Sequence, residues 1–123
     1  MAELLTLKTF KDNRGALTVL DRVVPFEIKR LFYIYGVDES LRGGHRHHST
    51  RQAAICIQGS CIITNHNGEF EEEFNLDTPD KCLILEPKDW HVMHHFTPDA
   101  ILLVLASTAF DPADYIFDPY EKK

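Results

Sequence analysis

Short runs rich in β-branched and aromatic residues recur along the chain: 16–20, 29–36, 52–57, 61–65, 69–76, 81–85, 91–96 and 101–106. Turn signals separate them at Asn13-Arg14-Gly15, Gly43-Gly44, Gln58-Gly59-Ser60, Asn67-Gly68, Thr78-Pro79 and Thr97-Pro98. Many short strands broken by such turns predict an all-β sandwich or barrel. Asn67-Gly68 predicts a hairpin, because both residues tolerate positive φ, and the acidic residues after it read as one solvated strand face. Residues 101–106 are apolar throughout and predict a strand buried on both faces. The stretch from Ala109 to Tyr120, with its Asp, Pro and Tyr residues, predicts a short helical turn and extended chain packed over the barrel.

Length changes this picture only by bounding it: 123 residues suffice for one domain with a real core, so 1–123 is read as a single domain. No stretch reaches the apolar length of a membrane span, and the opening residues lack the layout of a signal peptide, so a cytoplasmic location and no membrane contact are expected. Cys56, Cys61 and Cys82 form neither a paired set nor a zinc-ribbon spacing and are expected as core thiols.

The net charge of −6 argues against a nucleic-acid partner. The charge is uneven, however: residues 1–51 hold nine of the 13 Lys and Arg but only six of the 19 Asp and Glu. A local positive patch on an acidic protein suits a small anionic ligand better than a polymer.

That basic half also carries Arg42-Gly43-Gly44-His45-Arg46-His47-His48. On a strand, alternate side chains share a face, so His45 and His47 enter one pocket and Arg46 and His48 point away. Downstream, alternation in Trp90-His91-Val92-Met93-His94-His95 sets His91, Met93 and His95 on one face, and His91 could complete a three-histidine pocket. Imidazole, with an ordinary pKa near 6.5, can take a proton in one step and return it in the next. Two close imidazoles repel each other when both are charged, which keeps at least one neutral and basic. This is equipment for moving a carbonyl along a carbon chain through an enediol.

The spacing resembles the first motif of the cupin superfamily, G-x(5)-H-x-H-x(3,4)-E-x(6)-G, with Gln52 where metal-binding cupins carry Glu and Gly59 closing the motif. Without that carboxylate, no catalytic metal is expected. More specifically, the chain resembles the dTDP-4-keto-6-deoxyglucose 3,4-ketoisomerases of that superfamily. The resemblance rests on Asp12-x-Arg14-Gly15, Pro25-Phe26-x-Ile28-Lys29-Arg30-Leu31-Phe32-Tyr33-Ile34, Arg42-Gly43-x-His45-x-His47, Gln58-Gly59-Ser60-Cys61, Trp90-His91-x-Met93, Leu103-Val104-Leu105-Ala106-Ser107 and Asp114-Tyr115.

It implies a double-stranded β-helix (the cupin jelly-roll barrel), a homodimer, no cofactor, and a dTDP-4-keto-6-deoxyhexose substrate in deoxyamino-sugar nucleotide biosynthesis. His45 is then the base and His47 the neighbouring shuttle, or the reverse. Tyr33 or Tyr35 would hydrogen-bond the sugar or the enediolate oxygen, with Tyr33 counted as catalytic. Arg14, Arg30 and Arg42 are candidates for the pyrophosphate, because a guanidinium offers two parallel donors, and His91 joins them as a substrate contact. The sequence departs from the family at Arg46, where a small residue is usual. Two other readings stay open: a metal-dependent cupin enzyme using His45, His47 and His91, and a non-catalytic sugar-nucleotide-binding module.

Overall fold

The computed structural model describes residues 2–120. Its strands are β1 (Glu3–Thr6), β2 (Lys8–Asp12), β3 (Gly15–Val19), β4 (Arg30–Tyr35), β5 (Arg42–His47), β6 (Gln52–Gln58), β7 (Cys61–His66), β8 (Glu71–Leu76), β9 (Lys81–Leu85), β10 (Trp90–His94), β11 (Ile101–Ala106) and β12 (Tyr115–Ile116). A 3₁₀ turn at Pro112–Asp114 precedes β12, and no α-helix occurs among the described residues.

The strands form two five-stranded antiparallel sheets, in orders β1-β9-β6-β11-β4 and β12-β5-β10-β7-β8, with β2-β3 as a separate hairpin. Strands β4 to β11 alone give two four-stranded sheets, β4-β11-β6-β9 against β5-β10-β7-β8, which is the jelly-roll order. The expected all-β cupin-type barrel is therefore observed.

Period-two alternation explains how the sheets meet. Ile34, Ala54, Cys56, Leu83, Leu85, Leu102 and Val104 of the first sheet pack against Cys61, Ile63, Leu76 and Met93 of the second. Each such large side chain contributes about 1.5–3 kcal/mol by leaving water. The other face of the first sheet carries a second cluster, where Leu5, Ala53, Ile55, Cys82, Ile84 and Leu105 pack with Leu7, Leu20, Val24 and Phe26 of the N-terminal segment. All three cysteines are free and buried, as expected.

That cover stops short of β4, leaving Leu31, Tyr33, Tyr35 and Ile57 exposed. For this reason Ile101 and Leu103 are only half-buried, and β11 is not sealed on both faces as its apolar sequence predicts.

Two further expectations change. Gly43-Gly44 is not a turn but part of β5: His91 pairs with His45 and Val92 with Gly43, so Gly44 is the extra residue of a β-bulge. Both glycines have φ near +80°, and a Cβ on Gly43 would come within 2.9 Å of the His91 carbonyl oxygen. The bulge thus needs glycine, and it brings β5 close against β10 beside the histidines. His95 does not share a face with His91, because β10 ends at His94 and His95 turns away with φ of 54°.

Candidate active site

At the β5 end of the barrel the core changes from apolar to polar. His45 and His47 lie two residues apart on β5, both turned inward, and His91 faces His45 from β10. Ring centroids are 5.0 Å apart for His45 and His47, 4.8 Å for His45 and His91, and 6.2 Å for His47 and His91. His45 is half-buried, whereas His47 and His91 are only 4% and 2% exposed. His45 and His91 border a chamber of about 390 Å³ whose wall includes Phe32, Arg42, Gln52, Met93 and Tyr115, and His47 lies behind His45 and Tyr115.

Hydrogen bonds fix two of the three rings. His91 Nδ1 lies 3.1 Å from the carbonyl oxygen of Asp89; that oxygen can only accept, so Nδ1 carries the proton and Nε2 keeps its lone pair. Asp89 is itself buried and held, accepting from the Glu86 amide at 2.8 Å and from Asn65 Nδ2 at 3.2 Å. His47 Nδ1 lies 3.0 Å from Asp114 Oδ2, while its Nε2 is buried without a hydrogen-bond partner among the described residues.

Desolvation dominates the electrostatics, since burial disfavours the imidazolium. Burial, then the neighbouring His47, push His45 down to about 4. Burial, then His45, push His91 down to about 3. Burial also lowers His47, but Asp114 opposes the shift. For Asp114, burial acts to raise the carboxyl, yet hydrogen bonds from Thr50, Ser49 and His47 hold it well below the ordinary carboxylate range. At neutral pH the site therefore offers neutral imidazoles and a fixed carboxylate. The three histidines could also hold a metal ion, since one nitrogen from each lies within 4.8 Å of the others; the cupin carboxylate position is filled by neutral Gln52.

The other residues singled out in the sequence divide. Arg30 alternates with Phe32 and Ile34 on the inward face of β4; its charge reaches His45 and His47, and its Nε is buried without a partner among the described residues. Its guanidinium lies over the rings of Phe32 and Phe110, at 5.3 and 5.5 Å. Arg42 borders both the chamber and a neighbouring groove.

Tyr33 and Tyr35 do not enter the chamber. They sit at the opposite parity of β4, stack on each other at 5.9 Å and are 59% and 67% exposed on the outer face. Arg14 is likewise apart, ion-paired with Asp12 at the exposed β2-β3 turn.

The tail supplies what spacing alone missed. β12 pairs with β5, Tyr115 opposite His47, and sets the Tyr115 ring 4.7 Å from that of His45 and 4.8 Å from that of His47. Asp114-Tyr115 belongs to the quoted resemblance, but no local pattern announces that residues 67 positions beyond His47 return to it.

Comparison with known proteins agrees with this arrangement. The family model described as FdtA: WxcM-like, C-terminal matches residues 1–122. TDP-4-oxo-6-deoxy-alpha-D-glucose-3,4-oxoisomerase of Aneurinibacillus thermoaerophilus is 36% identical, covering 98% of this chain and 90% of that protein. The crystallised TDP-quinovose 3,4-ketoisomerase WlaRB of Campylobacter jejuni is 40% identical with a TM-score of 0.91, over 95% of this chain and 92% of that one. A mutant of the 3,4-ketoisomerase QdtA from Thermoanaerobacterium thermosaccharolyticum, in complex with TDP-4-keto-6-deoxyglucose, is 36% identical with a TM-score of 0.91, over 95% and 87%. With a full-length family match and relatives of this identity and coverage, the chain belongs to the FdtA family, WxcM-like, C-terminal.

Proposed function

We propose that this chain is a sugar-nucleotide 3,4-ketoisomerase, moving the keto group of a TDP-4-keto-6-deoxyhexose from C4 to C3 in deoxysugar nucleotide biosynthesis. The observation that carries the reading is the inward pairing of two neutral imidazoles, His45 at the chamber wall and His47 against it, beside Tyr115. The activities of the relatives support it.

In this mechanism an imidazole of the pair removes the C3 proton while the C4 carbonyl oxygen gains one, giving the enediol. Return of a proton to C4 and loss of the proton on O3 complete the 3-keto product, with no net change in protons. Such general acid–base transfer is worth about 10²–10⁴-fold in rate. The phenolic role expected of Tyr33 passes to Tyr115, the tyrosine that touches both histidines. Arg30, whose buried Nε has no partner among the described residues, and Arg42, at the chamber wall, are the candidates for the pyrophosphate, since a guanidinium offers two parallel donors.

Two features extend the reading. The outer face of β4, with exposed Leu31, Tyr33 and Tyr35 beside Ile101 and Leu103, is an apolar surface suited to a second copy of the chain. Light scattering is expected to give a dimer that Tyr33→Arg weakens; a wild-type monomer contradicts it. Three free buried thiols fit a reducing compartment and hence the cytoplasm.

Incubation with TDP-4-keto-6-deoxyglucose in deuterated buffer, with chelator present, tests the function by proton NMR. A 3-keto product carrying deuterium at C4 is expected. Absence of both product and exchange at C3 overturns the reading. Activity abolished by the chelator and restored by a divalent ion would favour a metal-dependent enzyme on the three-histidine cluster.

A further inference from the structure

Among the described residues, His47 is the one of the three clustered histidines with a carboxylate partner, and that carboxylate is built into place rather than merely nearby. Asp114 Oδ1 accepts from the Ser49 amide at 2.9 Å and from Ser49 Oγ at 2.8 Å. Oδ2 accepts from the Thr50 amide at 3.3 Å, from Thr50 Oγ1 and from His47 Nδ1. Thr50 Oγ1 has one proton to give; donating it to Asp114 leaves the hydroxyl to accept from Thr108 Oγ1 at 2.7 Å. The main chain repeats the connection, since the His48 amide donates to the Asp114 carbonyl oxygen at 2.9 Å. The tail is thus clamped onto the two residues that follow His48, through a side chain that also reaches back to His47.

This arrangement exceeds what holding the tail requires. A loop tie is satisfied by Ser49, Thr50 and the backbone, yet the carboxylate also takes the ring proton of an imidazole whose opposite nitrogen is buried and unpartnered. A carboxylate with several donors stays ionised and can only accept. His47 Nδ1 must then carry the hydrogen, which leaves the lone pair on Nε2.

We propose that Asp114 is the positioning residue of the proton-transfer pair: it holds His47 as the Nδ1–H tautomer, with the basic Nε2 presented at the histidine cluster. The inference rests on the ketoisomerase reading and deepens it. The groups facing His47 are His45 on its own strand, His91 on β10, Arg30 on β4, and Asp114 and Tyr115 on the tail. Arg30 and burial oppose a positive charge on His47, while Asp114 favours it. That gives His47, rather than His45 or His91, the stronger claim to hold the proton between its removal from C3 and its delivery to C4.

Asp114→Asn tests this directly. With the amide oxygen in the place of Oδ1, keeping both Ser49 bonds, the amide NH₂ stands in the place of Oδ2 and faces Thr50 and His47 Nδ1, so the imidazole must move its proton to Nε2. ¹⁵N NMR of labelled histidine at neutral pH is expected to show an Nδ1–H tautomer for His47 in the wild type and Nε2–H in the variant. Turnover is expected to fall by about 10²-fold or more, with KM changed by less than about threefold, because an interaction serving the transition state is lost. The limb of the pH–kcat profile set by His47 should move to lower pH, since a stabilising negative charge is removed.

A folded variant with the wild-type tautomer, or with turnover within threefold of wild type, overturns the proposal. Thr50→Val, which keeps the carboxylate but removes one anchor, should cost about 3–10-fold in kcat. It decides the matter if Asp114→Asn does not fold, an unchanged kcat then overturning the proposal. The tautomer measurement needs no substrate: an inactive wild type sinks the ketoisomerase reading, whereas an unflipped His47 sinks this inference alone.

Discussion

Strand β10 carries two histidines three residues apart, and the contrast between them separates a chemical site from a surface. His91 faces inward, 2% exposed, its Nδ1 tied to a backbone carbonyl and its ring against His45. His94, at the opposite parity, is half-buried, with Thr64 Oγ1 2.7 Å from its Nε2 and His95 Nδ1 2.5 Å from its Nδ1, one nitrogen donating and the other accepting. Both ring nitrogens of His94 are occupied, so it has nothing to offer a substrate. His91 and His47 each have one nitrogen fixed and the other without a hydrogen-bond partner among the described residues, while burial lowers their proton affinity. Histidine density is similar in the two places; parity on the pleat and closure by β12 make the difference.

The largest effect that can break this contrast is kinetic. His45→Asn and His47→Asn are expected to fold like the wild type and to lower turnover by about 10²–10⁴-fold. Near-normal rates in both variants would remove the pair from the mechanism.

Next comes stability in acid. The folded-state value of His91, about 3, lies below the ordinary value of 6.5, so the unfolded chain takes up the proton first. The folded state's advantage is therefore complete above about pH 6.5 and declines as pH falls from there toward 3. At pH 4.5 His91 alone should cost roughly 2–3 kcal/mol, with His45 acting in the same sense. Denaturation midpoints measured between pH 7 and 4.5 should fall less steeply in His91→Gln; parallel declines would mean that the buried imidazole is not the cause.

The smallest effect sharpens the contrast from the other side. His94→Asn and His95→Asn should leave kcat and KM within about twofold of wild type, the range of surface substitutions. A tenfold loss in either would extend the site beyond the inner face.

Much of this was legible in the sequence because strands that build the core advertise themselves. β9 and β11 have the expected bounds, β6 and β7 run one residue longer at one end, and β4 falls one residue short at each end, since their apolar side chains recur at strand period or without a break. β1, β2 and β12 left no such trace, being short or mixed with charged and polar residues that solvent accepts equally well in a loop. Gly43-Gly44 reads locally as a turn; only the approach of the His91 backbone shows why glycine is required within a strand.

Within the site, the i, i+2 spacing of His45 and His47 was sufficient to set them side by side. The same parity rule explains why Tyr33 stays outside the chamber: it lies an odd number of positions from Phe32, which lines it, so β4 cannot turn both inward. Asp114 and Tyr115 could not be placed by periodicity, because their role depends on the tail returning across the barrel to β5.

The central claim is that the buried histidine pair moves the proton between C3 and C4. Its most direct test is the exchange of the C3 proton of TDP-4-keto-6-deoxyglucose with deuterated solvent, followed by NMR with chelator present, for the wild type, His45→Asn and His47→Asn. The wild type is predicted to exchange that proton and form the 3-keto product, and each variant to lose both together. Exchange and product formation that persist in both variants would contradict the account.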